Sequence, residues 1–207
     1  MTEILEQLAG RTVIVGSGLA GLMTALTLAP EPSVIVTRAA LGAETSSAWA
    51  QGGIAASMGV DDRAELHLAD TLAAGDGLCD PAVAAGIIAE APAAIAALEQ
   101  AGVRFDRNAA GELSLGLEAA HSRHRIVHAE GDGSGAAIIA ALVRAVIQTP
   151  SITVLEGFEA RRILMNGKRV AGLHCATASG AAVLRTSRVV LATGGIGGLY
   201  DATTNPM

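Results

Sequence analysis

Between Thr12 and Arg38 the chain changes character three times: a β-branched run, TVIV, a glycine turn, an apolar stretch, LAGLMTALTL, stopped by Pro30 and Pro32, and a second β-branched run, SVIVT. Short β-branched runs bounded by turn residues predict strands, and the longer apolar stretch between them predicts a helix, so the segment reads as a βαβ unit. From Ala39 to Gly59 small residues without periodicity predict a loop. Asp61 to about Gln100 reads as Ala-rich helices punctuated by GDGLCDP, and residues 103 to 131 as irregular chain in which RNAAGEL turns between two short extended pieces. Ser134 is placed to N-cap a helix over GAAIIAALVRAVIQ. Beyond it, ITVLEG, FEARRILM, KRVAGLHCATA, AAVLRT and RVVLATGG predict a β-meander that returns to a core strand, with Asn166-Gly167 at a hairpin tip. The sequence stops at YDATTNPM, directly after a strand and glycine turn, so an α/β fold incomplete at its C-terminus is expected.

Composition narrows the partners. Of 207 residues, 51% are hydrophobic, ample for a substantial core, and the net charge of -6 gives no sequence-independent attraction for nucleic acid or anionic lipid. Aromatic residues at 2% leave no platform for base stacking. Cys79 and Cys175 stand far apart with no CxxC pattern, which argues against zinc and against a disulfide framework and fits a reducing cytoplasm. The start, MTEILEQLAGR, carries two glutamates and no long apolar run, unlike a secretory signal. The most apolar stretch, PAVAAGIIAEAPAAIAAL, is interrupted by Glu90 and Pro92 and is rich in Ala, which predicts buried helices and no membrane span.

Two clusters carry candidate chemistry. VIVGSGLAGL sets Gly16, Gly18 and Gly21 in G-x-G-x-x-G spacing, with Ser17, Leu19 and Ala20 between them, after a strand and at the opening of a helix. Gly16 permits the tight turn, Gly18 lets a pyrophosphate approach the backbone and Gly21 lets the helix pack on the sheet, so the helix N-terminus faces the negative charge of a dinucleotide. The acidic residue expected about 20 positions on is replaced by Thr37 and Arg38. Arg38 could receive a 2′-phosphate of NADP, contact a flavin dinucleotide, or be a solvated loop cation. The second cluster is HSRHRIVH, in which His121, His124 and His128 follow Glu118. Their spacing fits a loose helical face and a bent loop equally well, and no carboxylate or cysteine ligand set surrounds them, so no metal site is expected.

The run SSAWAQGGIAA, holding Ser46, Ser47, Ala48, Trp49, Ala50, Gln51, Gly52 and Gly53, resembles the flavin-contacting loop of the succinate dehydrogenase, fumarate reductase and L-aspartate oxidase group. In that reading Gly52 and Gly53 admit the flavin edge, while Ser46, Ser47 and Gln51 offer hydrogen bonds. RVVLATGGIGGLYDATTNP, with Thr193, Gly194 and Gly195, resembles the strand and turn by which these flavoproteins return to the dinucleotide-binding sheet, and its T-T-N-P resembles the segment that succeeds that turn in the group. The resemblance implies a Rossmann-like FAD-binding domain over residues 1–207, with inserted Ala-rich helices. It further implies that the rest of that domain, a capping domain, a helical domain and the catalytic arginine lie outside the chain, which is therefore inactive alone.

Within the group, Ser46 stands where the dehydrogenases and reductases carry the histidine that bonds flavin, which implies non-covalent FAD. LEAAHSRHRIVHAEGDGSG resembles the aspartate oxidase pattern E-G-G-H-S…R-I…H-A…D-x-[TS]-G, so Glu118 and His121 are implied at the active site, Glu118 offering a carboxylate to the substrate ammonium. Ala119 and Ala120 depart from the two glycines of the pattern. His124 reads as a loop residue, and His128 as lining the site or as a core histidine. Arg123 and Arg125 read as solvated loop cations, one of which could help draw in a dicarboxylate. The implied reaction is oxidation of L-aspartate to iminoaspartate with oxygen or fumarate as acceptor, feeding quinolinate synthesis and NAD formation, with a functional link to quinolinate synthase. The alternatives are a soluble fumarate reductase or succinate dehydrogenase flavoprotein and a non-catalytic flavin-binding fragment.

Overall fold

In the computed structural model, which describes residues 2–203, a short helix α1 (Thr2–Gln7) leads into the predicted βαβ unit: β1 (Thr12–Val15), α2 (Leu19–Leu28) and β2 (Ser33–Thr37). A 3-10 turn (Ser46–Trp49) and a short strand β3 (Ile54–Ala55) lie in the segment expected to be loop. Helices α3 (Ala64–Ala74) and α4 (Pro81–Gln100) follow, then β4 (Leu115–Gly116), β5 (Ile126–Val127) and α5 (Ser134–Ile147). The chain ends in β6 (Ile152–Glu156), β7 (Glu159–Asn166), β8 (Arg169–Thr177), β9 (Gly180–Arg185) and β10 (Val189–Leu191). It divides into two units, one made of the residues up to Trp49 and from Ile139, the other of Ala50–Ile138. The T-T-N-P match falls mostly on Thr204, Asn205 and Pro206, outside the described residues.

In the first unit four strands run parallel in the order β10-β1-β2-β6, with Ile14 beside Ile35 and Val190. β1 and β2 are buried throughout, as their unbroken apolar runs require. Alternate residues face opposite ways, and Val13, Val15, Val34 and Val36 join a core with Leu173, Cys175, Ala182 and Leu184 from the second half of the chain. Leu5 and Leu8 complete that core. A helix as short as α1 is not stable alone; burying two leucines, at about 1.5–3 kcal/mol each, accounts for its order.

Strand pairing and capping correct three sequence expectations. ITVLEG is not part of the meander: β6 pairs parallel with β2, Ile35 against Val154, and only β7-β8-β9 form the antiparallel meander. The β7–β8 hairpin closes through Gly167 and Lys168, since Asn166 is already paired with Arg169. Ser134 is not an N-cap. It is itself helical, and its hydroxyl accepts from Ala129 N–H at 3.1 Å and donates to Gly131 C=O at 3.0 Å, tying the turn before α5.

The second unit holds α3 packed on α4, and a small antiparallel sheet in the order β3-β5-β4. Asp80 caps α4, its Oδ1 accepting from Ala82 and Val83 N–H at 2.9 and 3.1 Å, with Pro81 in the first turn where its missing N–H costs nothing. Pro92 does not interrupt α4, which runs as one helix and, against the expectation of buried helices, buries only the stripe of Ile88, Ile95 and Leu98. By length and composition alone α4, with hydropathy 1.7, is long and apolar enough to cross a membrane. RNAAGEL forms the expected turn: Arg107 bridges Leu113, and Asn108 Oδ1 accepts from Ala110 and Glu112 N–H.

Candidate functional site

The first unit carries a groove of about 670 Å³ at the carboxyl ends of the parallel strands, where open α/β sheets place ligands. The glycine fingerprint forms its floor. Gly16 has φ +112° and a side chain there would strike Ala192 C=O at 2.2 Å; one at Gly21 would strike Gly16 C=O at 2.0 Å. Both glycines are thus demanded by the fold itself. Gly18 is not: a Cβ there meets only Ser47 Oγ at 3.5 Å and Thr45 carbons beyond it, and its φ of -77° suits any residue. The space in front of Gly18 is the cradle a side chain would fill, as expected where a pyrophosphate meets backbone N–H groups. α2 has no acidic residue in its first turn to offset its positive end.

Around that floor stand Thr37, Arg38, Glu44, Ser46, Thr193 and Gly194. Arg38 donates to Glu44 Oε2 at 2.9 Å, both side chains being more than half exposed. Glu44 thereby brings to the end of β2 the carboxylate that Thr37 lacks, a residue that sequence reasoning missed because the fingerprint looks for it on the strand. Ser17, singled out for cofactor contact, has a buried hydroxyl engaged with Thr37 Oγ1 at 3.0 Å and Gly42 N–H at 3.1 Å, so only its backbone faces the groove. Ser47 Oγ accepts from Leu19 N–H at 3.3 Å, at the start of α2. Ala20 and Gly195 also line the groove; Ala48 closes the 3-10 turn on Thr45, and Trp49 is exposed.

The second unit carries the glycine pair and the Glu118 loop. Gly53 has φ +73°, and a side chain there would strike Val127 C=O at 2.6 Å, so its glycine is explained by the pairing of β3 with β5. Gly52 opens instead toward Glu118, whose carboxylate oxygens lie 3.6 and 3.9 Å from where its Cβ would be. His128 Nε2 approaches Glu118 Oε1 at 3.4 Å, so His128, not His121, is the side chain beside Glu118. Ala50 C=O accepts from Gly135 N–H, and Gln51 is exposed. Ala120 adopts φ +67°, the conformation a glycine would take without strain. His124 is a loop residue, its Nδ1 3.2 Å from Leu115 C=O.

Arg125 overturns the expectation of a solvated cation. Its side chain is 0% exposed, forked onto Asp62 at 2.8 and 2.9 Å and bonded to Asp70 at 2.7 Å, with His121 Nδ1 at 3.3 Å. An arginine can be buried only with such pairing. Asp70 also accepts the N–H and hydroxyl of Ser122, both at 2.8 Å, and these bonds first, then Arg125, lower its pKa from 3.8 to about 2. His67 lies edge-on to His121 with centroids 5.7 Å apart, and burial, followed by the Arg125 charge, lowers its pKa below 6.5. Arg123 stays at the surface near Asp61. Asp62 and Asp70 carried no sequence signal, since Arg125 lies 63 and 55 residues away, and neither did His67, whose ring neighbour His121 is equally remote in sequence.

Comparison with known proteins places the chain among its relatives. Across its whole length the chain is 68% identical to the L-aspartate oxidase of Agrobacterium fabrum and 62% identical to that of Xylella fastidiosa, spanning 39% and 40% of those proteins. Among solved structures, a mutant E. coli quinol fumarate reductase superposes with a TM-score of 0.89 at 27% identity, over 95% of this chain and 34% of that one. Residues 11–207 match the family described as FAD binding domain. That match begins just before β1 and takes in both the glycine cradle and the Glu118 loop, and the chain therefore belongs to the FAD binding domain family.

Proposed function

We propose that residues 1–207 are the N-terminal portion of the FAD-binding domain of an L-aspartate oxidase, which in the complete protein holds FAD non-covalently and converts L-aspartate to iminoaspartate. The observation that carries the proposal is the Glu118 carboxylate poised over Gly52, within the loop that resembles the flavin-contacting segment. The identity to named L-aspartate oxidases supports it.

The groove residues fit the dinucleotide. The backbone at Gly18 and Ala20 would take the pyrophosphate, Arg38 and Glu44 would offer a guanidinium and a carboxylate to the adenosine part, and Thr193, Gly194 and Gly195 line the wall. Bound FAD would supply the two-electron acceptor for the hydride leaving Cα of aspartate, while the ammonium gives up one proton to solvent so that its nitrogen lone pair can form the C=N bond. This chain's part is binding and orientation: Glu118 holds the ammonium of the substrate by a charge-assisted hydrogen bond, and His128 Nε2–H steadies that carboxylate. Oxygen or fumarate then takes the electrons, and the product passes to quinolinate synthase in the cytoplasm.

Glu118→Gln tests the assignment. It removes the partner of the ammonium and leaves the substrate carboxylates their own contacts. A hydrogen bond to a charged group is worth about 1.5–3 kcal/mol, so kcat/KM for L-aspartate in the full-length enzyme should fall about ten- to hundred-fold. Fumarate reduction by the same variant should be nearly unchanged. Equal losses on both substrates would assign Glu118 to flavin or fold support and favour a fumarate reductase.

A further inference from the structure

Four of the five N–H groups that a guanidinium possesses are engaged at Arg125 by Asp62, Asp70 and His121. A guanidinium has no lone pair to offer, so its contact with His121 Nδ1 forms only when that nitrogen carries the lone pair. The ring proton then sits on Nε2. His124 has the opposite arrangement, since the carbonyl of Leu115 only accepts and its Nδ1 must hold the proton.

We propose that Arg125 is a positioning residue that holds His121 as the neutral Nε2–H tautomer, which makes His121 a hydrogen-bond donor toward the substrate and denies it the role of a base. Asp62 and Asp70 do the holding, and Asp70 binds Ser122 as well, so the carboxylate that orients Arg125 also pins the residue next to His121. His67 lies edge-on to the same ring, with centroids 5.7 Å apart. Nε2 of His121 meets no partner among the described residues and is not among their buried unpartnered atoms. A neutral donor suits a dicarboxylate, to which it can bond without adding a transferable proton to the site. The inference deepens the aspartate-oxidation reading and rests on it only where it names a substrate.

The test uses the full-length holoenzyme labelled with nitrogen-15 in its histidine rings, the His121 signals being assigned by their loss in His121→Gln. A pyrrole-type Nε2 and pyridine-type Nδ1 are expected for His121, and a pyrrole-type Nδ1 for His124. A His121 that carries the proton on Nδ1, or on both nitrogens, at neutral pH overturns the proposal. Arg125→Lys keeps a cation against the two aspartates but loses the fork, and should give mixed His121 tautomers at unchanged flavin content; an unchanged spectrum overturns the role of Arg125. Should that variant not fold, the wild-type spectrum decides alone. Kinetics separate donor from base: His121→Gln, which retains an N–H donor, should stay within about tenfold of wild-type kcat/KM, whereas His121→Leu should lose about ten- to hundred-fold. Both variants falling together by about 10²–10⁴-fold, as on loss of a base, overturns the donor role. If the wild-type enzyme oxidises no L-aspartate, the functional reading fails while the tautomer spectrum still answers this question.

Discussion

At Gly18 the two possible reasons for a glycine can be separated. Gly16 and Gly21 are glycines because backbone oxygens stand within 2.2 Å of any Cβ, while Gly18 has ordinary van der Waals room and an ordinary φ. What remains to exclude a side chain at Gly18 is a ligand. Gly18→Val should therefore fold, with flavin-free stability within about 0.5 kcal/mol of wild type, as for substitutions that disturb no packing. Flavin absorbance per protein should fall at least about tenfold, because its methyl groups stand where the pyrophosphate meets the backbone. Full flavin content in the folded variant would show that this turn does not hold the dinucleotide. The same comparison at Gly52 and Gly53 divides a pair the sequence presents as equals: Gly53 is needed by the β3–β5 pairing, and Gly52 faces Glu118.

At the scale of elements, α4 and the Arg125 cluster each make a measurable claim. Pro92 sits inside an unbroken α4, where it removes the hydrogen bond to the carbonyl one turn earlier. Pro92→Ala should raise stability by about 1–3 kcal/mol, seen as a higher denaturant midpoint at unchanged slope; no gain would mean that neighbouring side chains already compensate. For the cluster, the folded pKa of Asp70 lies at about 2 against an ordinary 3.8. Between those values the unfolded chain binds the extra proton, so the stabilisation is fully present above pH about 4 and is lost as pH falls toward 2. Asp70→Asn should flatten the loss of stability over that window, measured by urea unfolding at pH 3, 4 and 5. His67 adds a separate step with the same direction: its folded pKa is lowered from 6.5, so its contribution is present above that pH and declines below it. An acid profile identical in wild type and Asp70→Asn would remove Asp70 from the account.

For the molecule as a whole the flavin linkage is the first thing to measure. Ser46 lies exposed in the 3-10 turn, and a hydroxyl there offers no imidazole for attachment, so acid precipitation of the full-length protein should leave yellow flavin in the supernatant. Flavin retained in the pellet would refute the non-covalent assignment. The βαβ unit, the glycine fingerprint, the three meander strands and the RNAAGEL turn were legible in the sequence, because each depends on residues within a few positions of one another. Spacing, propensity and turn chemistry act locally, and one chain carries all the terms. What only the tertiary structure decided are the pairings that close long loops: β6 against β2 across more than 100 residues, α1 against the meander, and Arg125 against Asp62 and Asp70. A charge in a polar loop has the same neighbours in sequence whether it ends in water or in a buried fork. Which of the two occurs depends on the acceptors that folding brings within about 3 Å, and no local pattern encodes that distance.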